Sequence, residues 1–402
     1  MRHRARPIAL LALLSVAAGV ALVAGGGPQE CTTGLFAGAS TADGRPILWK
    51  NRDTDKLSNK VVFVDDQPHS YLGVVNADDP DGRMVWAGVN AAGFAIANSV
   101  AYNLPMKSGE QADLEGVIMA DALRTCATVA DFERYLSRNL GPDLGSQANF
   151  LVMDARGGAS IFESHNHGFK RLDTAAGEAG YLANTNFSRS GTPDAGAGYL
   201  RFERETTLLE GAKPRSVTPA WLLQVAARDL GHALLAHPSR EDLKKLPAGK
   251  PAWVHTNYTI NRASTASTIV VHGVKPGEDV RRTTMWVVLG EPVCGIAVPF
   301  WVAAGAPPAA AWEGEHAALA AESARVKDLL RPLKARERKE YADVARLDNA
   351  AGTGWLPKLL ATESQLLDEA AALLAKNPSA SELAAFEKTA ADRALATLRQ
   401  IR

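Results

Sequence analysis

Short apolar or alternating runs, separated by Gly, Pro, Asn and Asp, dominate the chain from residue 31 to about residue 301. Six of these runs predict strands, and the last four of them form two hairpins: Val61–Asp65, Phe94–Val100, Asn149–Met153, Ala159–Glu163, Thr268–His272 and Thr284–Leu289. Because the strands are grouped in hairpins rather than in βαβ units, the pattern favours an α+β fold with antiparallel sheets.

Helical patterns occur between the predicted strands and account for the whole C-terminal part of the chain. Leu114–Leu136, Tyr199–Glu210 and Pro219–Leu235 each predict a helix, the last with Thr218 as its N-cap. Residues 306–402 are rich in Ala, Leu, Glu, Lys and Arg, and they predict an all-helical C-terminal extension. Pro357 opens one of its helices, and an S-x-x-E capping box over residues 379–382 precedes the last one.

The first thirty residues are typical of an export signal followed by a short propeptide. Met1–Arg6 is basic, Ile8–Ala24 is almost wholly apolar, and Gly25–Gly27 follows. An uncleaved membrane anchor is the rival interpretation, since the apolar run is near the shortest length that spans a bilayer. The absence of aromatic residues and the Ala/Gly-rich end favour cleavage. We therefore expect a periplasmic or secreted protein without a membrane span, whose main domain is residues 31–305.

Composition narrows the classes of function further. The 402 residues contain 44 Lys and Arg against 44 Asp and Glu, so the zero net charge gives no electrostatic case for a nucleic-acid partner. Three cysteines, Cys31, Cys126 and Cys294, are too few for a disulfide framework and too far apart for a cysteine-rich zinc site. We expect Cys126 and Cys294, which lie in apolar segments, to be buried and inert.

Cys31 is different, because it stands at the edge of the predicted propeptide. It leads into a strand, then an Asp-Gly turn at Asp43-Gly44, then the segment Lys50-Asn51-Arg52-Asp53. A cysteine freed at a mature N-terminus carries its own base, since an α-amine with a pKa of about 7.7–8.0 can accept the thiol proton. The thiolate can then attack an acyl carbon. The alternative is a small buried cysteine near an irregular N-terminus.

This stretch resembles the N-terminal nucleophile hydrolases of the choloylglycine hydrolase and penicillin V acylase type, and the related acyl-coenzyme A:6-aminopenicillanate acyltransferases. The resemblance implies an αββα fold, in which two antiparallel sheets are stacked between helices. It also implies that Cys31 is the nucleophile and that Asp53 bonds to its amine. Lys50 stands where the family often has arginine, which keeps the charge but loses a fork of donors.

Two later segments are similar to the oxyanion-binding elements of that family. Gly88–Asn98 matches a strand pair whose final asparagine, here Asn98, lines the pocket. Leu182–Phe187 matches an element whose asparagine is the principal oxyanion donor. The Thr-Asn register, which we prefer, selects Asn186, and the alternative Leu-x-Asn spacing selects Asn184. An amide is a suitable donor because it offers N–H without a titrating charge. The alternative for Asn98 is a structural strand-end asparagine.

A third segment, Leu200–Arg204, is similar to a family helix whose first arginine supports the nucleophile electrostatically, which selects Arg201. The alternative is that Arg201 and Arg204 pair with Glu203 and Glu205 on a solvated helix face.

These residues together predict an exported cysteine amidohydrolase that acts on the linear amide bonds of small molecules. It uses no metal and no organic cofactor, and autocatalytic cleavage of the Glu30–Cys31 bond frees the nucleophile. The sequence leaves open an acyltransferase that uses the same acyl-enzyme, and a catalytically silent envelope binding protein. It also leaves open the substrate and the choice between a monomer and a homo-oligomer.

Overall fold

The computed structural model describes residues 30–79, 81–176, 180–213, 215–335 and 338–402. The predicted export signal and propeptide, apart from Glu30, lie outside the described residues. Fifteen strands lie within them: β1 (Glu30–Phe36), β2 (Ile47–Asp53), β3 (Asn59–Val64), β4 (Tyr71–Asn76), β5 (Ala87–Asn90), β6 (Ala95–Val100), β7 (Gln147–Met153), β8 (Ala159–His165), β9 (Gly168–Asp173), β10 (Tyr181–Asn184), β11 (Trp253–His255), β12 (Thr265–His272), β13 (Thr284–Leu289), β14 (Val298–Phe300) and β15 (Tyr341–Asp343).

The same part of the chain contains nine α-helices: α1 (Glu115–Thr125), α2 (Val129–Asn139), α3 (Tyr199–Gly211), α4 (Pro219–Trp221), α5 (Arg240–Leu243), α6 (Ala309–Trp312), α7 (Ala318–Leu330), α8 (Leu356–Leu374) and α9 (Ala380–Arg399). Both predicted hairpins are confirmed, as β7–β8 and β12–β13. The predicted capping box of Ser379 and Glu382 starts α9, and Pro357 lies in the first turn of α8.

The strands form two large antiparallel sheets. The six-stranded sheet has the order β10-β1-β2-β12-β13-β14, and the seven-stranded sheet runs in chain order from β3 to β9. Strands that are distant in sequence therefore meet in the first sheet, whereas the second is a simple meander. β1 lies between β10 and β2, so residues 33–36 are paired on both sides, and Cys31 pairs with Arg52 of β2.

Helices cover the outer face of each sheet. Alternate residues of β6, β7 and β8 pack against α1 and α2, where the Phe132 ring makes edge contacts with the Phe150 and Phe162 rings. On the other side, α7, α8 and α9 contact β13 and β14. The two sheets contact each other between these helical layers. The αββα sandwich that the resemblance implied is confirmed.

The C-terminal extension is helical, as predicted, with one added strand. β15 pairs with β11 of the main domain, and the apolar faces of α8 and α9 join the core of the six-stranded sheet. Among the described residues, no helix combines the length and apolar character needed to cross a bilayer.

The prediction of one helix over Leu114–Leu136 is wrong, because the chain forms two helices there. Cys126 is extended, with φ −101° and ψ 140°. Thr128 then caps α2 in a capping box with Asp131. Such a box satisfies free backbone N–H groups and so starts a new helix at this point.

The prediction of a regular helix over Pro219–Leu235 is also wrong. α4 passes at once into a π-helical turn over Leu222–Ala226. Beyond it, the buried Arg228 side chain donates to the Leu223 carbonyl and to both carboxylate oxygens of Glu363. The Arg228 side chain thus bonds to the Leu223 carbonyl, which would accept a backbone N–H if the α-helix continued.

One buried carboxyl of the C-terminal helices predicts a pH dependence of stability. Burial raises the pKa of Glu387 from 4.5 to about 8, opposed by the Trp301 backbone N–H that it accepts at 2.7 Å. Since the folded state binds this proton more tightly, the stability it contributes is complete below pH 4.5 and is lost as the pH rises through about 8. Glu387→Gln keeps the acceptor and cannot ionise. We expect the free energy of unfolding to fall between pH 5 and pH 9 by on the order of 3 kcal/mol more in the wild type than in this variant.

Denaturant titrations at several pH values measure this difference. Glu369→Gln, at a partly exposed position of α8, is the control and should follow the wild type. Parallel pH profiles for Glu387→Gln and the wild type would contradict the prediction.

Candidate active site

Cys31 is the second residue of β1 and lies opposite Arg52 of β2. Its side chain is buried, with 4% of the residue exposed. Glu30 precedes it in the same strand, so the Cys31 nitrogen is a peptide amide in this structure. A free α-amine at Cys31 therefore requires cleavage of the Glu30–Cys31 bond.

Asn186 holds the Cys31 nitrogen. Its Oδ1 accepts the Cys31 backbone N–H at 2.8 Å and the Arg201 Nη2 at 2.9 Å, and its Nδ2 donates to the Val100 carbonyl at 2.9 Å. These partners identify the oxygen and nitrogen of the amide, because two donors converge on one atom and a carbonyl faces the other.

Asn184, the alternative from the sequence, has structural partners instead. Its Nδ2 donates to Ser99 Oγ at 3.1 Å, and its Oδ1 accepts Arg189 Nη1 at 3.0 Å. The structure therefore brings Asn186 to Cys31 and holds Asn184 in the adjoining network.

Arg201 binds the other end of the Cys31 backbone. It is 1% exposed, and its Nη1 donates to the Cys31 carbonyl at 2.5 Å and to Thr32 Oγ1 at 3.0 Å, while Nη2 donates to Glu30 Oε2 at 2.9 Å. Gly198, at the N-cap of α3 with φ +79°, makes room for this: a Cβ there would lie 2.6 Å from Arg201 Nη2. The alternative of a solvated Arg201 is wrong, because the side chain points inward.

Asp53 lies at the end of β2, opposite Glu30. Its Oδ1 accepts Thr265 Oγ1 at 2.7 Å, and its Oδ2 is 3.8 Å from Arg262 Nη1. Oδ2 makes no hydrogen bond to any described residue. Burial raises the pKa of Asp53 to about 6, opposed by the charges of Arg262 and Arg201. One Asp53 carboxylate oxygen is thus left without a hydrogen bond to the described residues, at the position opposite Glu30.

Lys50 and Asn98 lie on the side of Cys31 that faces the other sheet. Lys50 Nζ donates to Asn98 Oδ1 at 2.7 Å and to the Trp86 carbonyl at 2.8 Å. Burial lowers the pKa of Lys50 to about 8 and that of Arg52 to about 9, while negative charge at Cys31 opposes both shifts. Lys50 and Arg52 are therefore two cations that interact electrostatically with Cys31. Because the Asn98 oxygen accepts the Lys50 hydrogen bond, the Asn98 NH₂ group is the one that remains to donate.

Sequence reasoning missed two charged residues of the site. Arg52 shares its face of β2 with Lys50, so the two-residue period of a strand gives a signal for it. Arg262 lies in a loop that no motif marks, and only the fold brings it to Glu30 and Asp53. Across the described residues, no group of three or more His, Cys, Asp or Glu side chains could hold a metal ion.

Comparison with known proteins finds solved structures at low sequence identity and low TM-score. No family model and no curated protein matches the chain. Among solved structures, a variant of conjugated bile acid hydrolase from Clostridium perfringens is 12% identical with a TM-score of 0.37, covering 64% of this chain and 89% of that one. The N-acylethanolamine-hydrolyzing acid amidase ortholog of Caenorhabditis elegans is 15% identical with a TM-score of 0.39, covering 64% and 99%. Penicillin V acylase from Agrobacterium tumefaciens is 17% identical with a TM-score of 0.38, covering 67% and 85%.

Proposed function

We propose that this protein is an exported N-terminal cysteine amidohydrolase that cleaves linear C–N amide bonds in small molecules. The observation that supports this most directly is that buried Asn186 and Arg201 hold the backbone nitrogen and oxygen of Cys31. A nucleophile must attack from one fixed direction, and a backbone fixed at both ends supplies that constraint.

Maturation would use the same thiol. Cys31 Sγ attacks the Glu30 carbonyl carbon, the C–N bond breaks, and the thiol proton ends on the Cys31 nitrogen. Water then hydrolyses the Glu30–Sγ thioester, which restores the thiol and releases the leader with a new terminal carboxylate on Glu30. The nitrogen is now an α-amine, and Asp53, which lies opposite Glu30 in β2, would pair with it.

Turnover would repeat this chemistry on an external amide. The α-amine takes the Cys31 thiol proton as Sγ attacks the substrate carbonyl, and Asn98 and Asn186 donate N–H groups to the oxyanion. The amine then returns the proton to the leaving nitrogen, and water releases the acid from Sγ. Arg201 stabilises the negative charge nearby. No step calls for a metal or an organic cofactor.

N-terminal sequencing of the exported protein, combined with a screen of an acyl-amide library, tests the proposal. We expect the active form to begin at Cys31 and to release acid and amine in equal amounts. An active form that begins at Gly27 or earlier would refute the free-amine mechanism. Transfer of the acyl group to an added amine in place of water would indicate the acyltransferase instead, and a mature protein inert to every amide would favour the binding protein.

A further inference from the structure

The Glu30 carboxylate is clamped between two buried guanidinium groups. Glu30 Oε2 accepts Arg201 Nη2 at 2.9 Å and Arg262 Nη1 at 2.5 Å. The side chains of Arg201 and Arg262 are 1% and 9% exposed, against 23% for Glu30. Burial opposes the charge on Glu30, but Arg262 and Arg201 hold its pKa below the usual value. This is a built carboxylate-binding site, and at this stage the propeptide fills it.

Cleavage after Glu30 would remove its carboxylate from the site formed by Arg201 and Arg262, and would change the net charge of that site. Two arginines now face two carboxylates, Glu30 and Asp53. Loss of Glu30 removes one negative charge and adds an α-amine, so positive charge is left in excess in a buried place. Arg262 Nε already lacks a hydrogen-bond partner among the described residues. Buried cations without partners are costly, so the mature site favours an incoming anion.

We propose, on the basis of the function proposed above, that Arg201 and Arg262 bind a carboxylate on the acyl part of the substrate. The thioester formed during maturation joins an acyl carbon to Cys31 Sγ, which is the same bond that an acyl-enzyme contains. Glu30 is therefore the first acyl group that the site holds, and its side chain marks where later acyl side chains lie.

The covalent structure of Glu30 sets the length of that acyl group. Three carbons separate its side-chain carboxylate from its backbone carbonyl, which is the spacing of a glutaryl group. A cavity of about 390 Å³ adjoins Glu30 and Arg262 and gives room for a longer or substituted acyl chain. The substrate class is thus amides of dicarboxylic or glutamate-like acids.

Matched amides of one amine test this in the mature protein that begins at Cys31. The pair is the glutaryl amide and the pentanoyl amide, and a third amide carries its carboxylate on the amine side. We expect kcat/KM to favour the glutaryl amide by about tenfold or more, as two charge-assisted hydrogen bonds allow. Arg262→Gln should remove about tenfold of that preference, and Arg262→Lys should restore part of it. Arg281→Gln, at an exposed turn arginine, is the control and should keep the wild-type ratio.

Binding of glutarate against pentanoate, measured by calorimetry, gives a readout separate from turnover. Glutarate binding that Arg262→Gln weakens supports the subsite even if no amide is hydrolysed, a result that would refute only the proposed function. Hydrolysis of glutaryl and pentanoyl amides at equal kcat/KM, or a preference only for the amine-side carboxylate, would overturn the subsite and leave the proposed function standing.

Discussion

Replacement of Cys31 by alanine is expected to abolish both cleavage of the Glu30–Cys31 bond and amide turnover. In the proposed mechanism both steps use the Cys31 Sγ atom, and no other described cysteine lies at this site. Cys126 and Cys294 are 2% and 0% exposed. Burial raises the pKa of the Cys126 thiol to about 11 and that of Cys294 well above its usual value, so neither is a nucleophile at neutral pH. Intact mass and an amidase assay measure the two losses.

The controls separate the loss of the nucleophile from the loss of the fold. Cys31→Ser keeps the shape and should lose most of the rate, since a hydroxyl is the weaker nucleophile. Cys126→Ala should cost some stability and leave processing intact. In the mature wild type, limiting iodoacetamide should label Cys31 first. Labelling of Cys126 or Cys294 first, or full activity with Cys31 modified, would contradict the assignment.

Replacement of Glu363 by alanine is expected to destabilise the protein by about 3 to 5 kcal/mol, the typical cost of leaving one partner of a buried ion pair unpaired. Glu363 in α8 and Arg228 are both fully buried, and the carboxylate also accepts the Ala297 N–H at 2.7 Å. The variant leaves the Arg228 guanidinium without a counter-charge. The free energy of unfolding in denaturant measures the effect.

Glu369→Ala is the matched control, because it lies in the same helix and also pairs with an arginine. Its partner is Arg393, and both side chains are more than a third exposed. A loss of about 1 kcal/mol or less is expected there. Equal losses of unfolding free energy for Glu363→Ala and Glu369→Ala would show that the buried Arg228–Glu363 pair does not stabilise the packing of α8 on the main domain.

The hairpins could be predicted because alternation and turn residues are local signals. β7 and β8 need only a strand, a Gly-rich turn and a second strand, all visible within twenty residues. The break after α1 was missed because Cys126 and its neighbours continue the helical spacing of apolar residues, whereas the Thr128 cap decides the outcome. The end of α4 was missed for a different reason. It depends on Glu363, more than a hundred residues away, which draws Arg228 out of the helical pattern.

The candidate site divides in the same way. The Cys-Thr start and the Lys50–Asp53 segment lie in β1 and β2, which are near in sequence, and motif resemblance found them. Arg262 belongs to a loop before β12, and its relation to Glu30 exists only because β12 pairs with β2. No pattern of spacing reports such a contact. Asn184 and Asn186 are likewise both buried, and the geometry adds that Asn186 accepts a hydrogen bond from the Cys31 backbone N–H.

The hydrogen bond between Asn186 and the Cys31 nitrogen joins residues 155 positions apart. The bond from Thr265 to Asp53 spans 212 positions. If Cys31 cuts its own leader, the cut waits until these distant parts of the chain have come together. A misfolded molecule would then remain uncleaved and inactive, so that cleavage of the leader would depend on a correctly folded main domain.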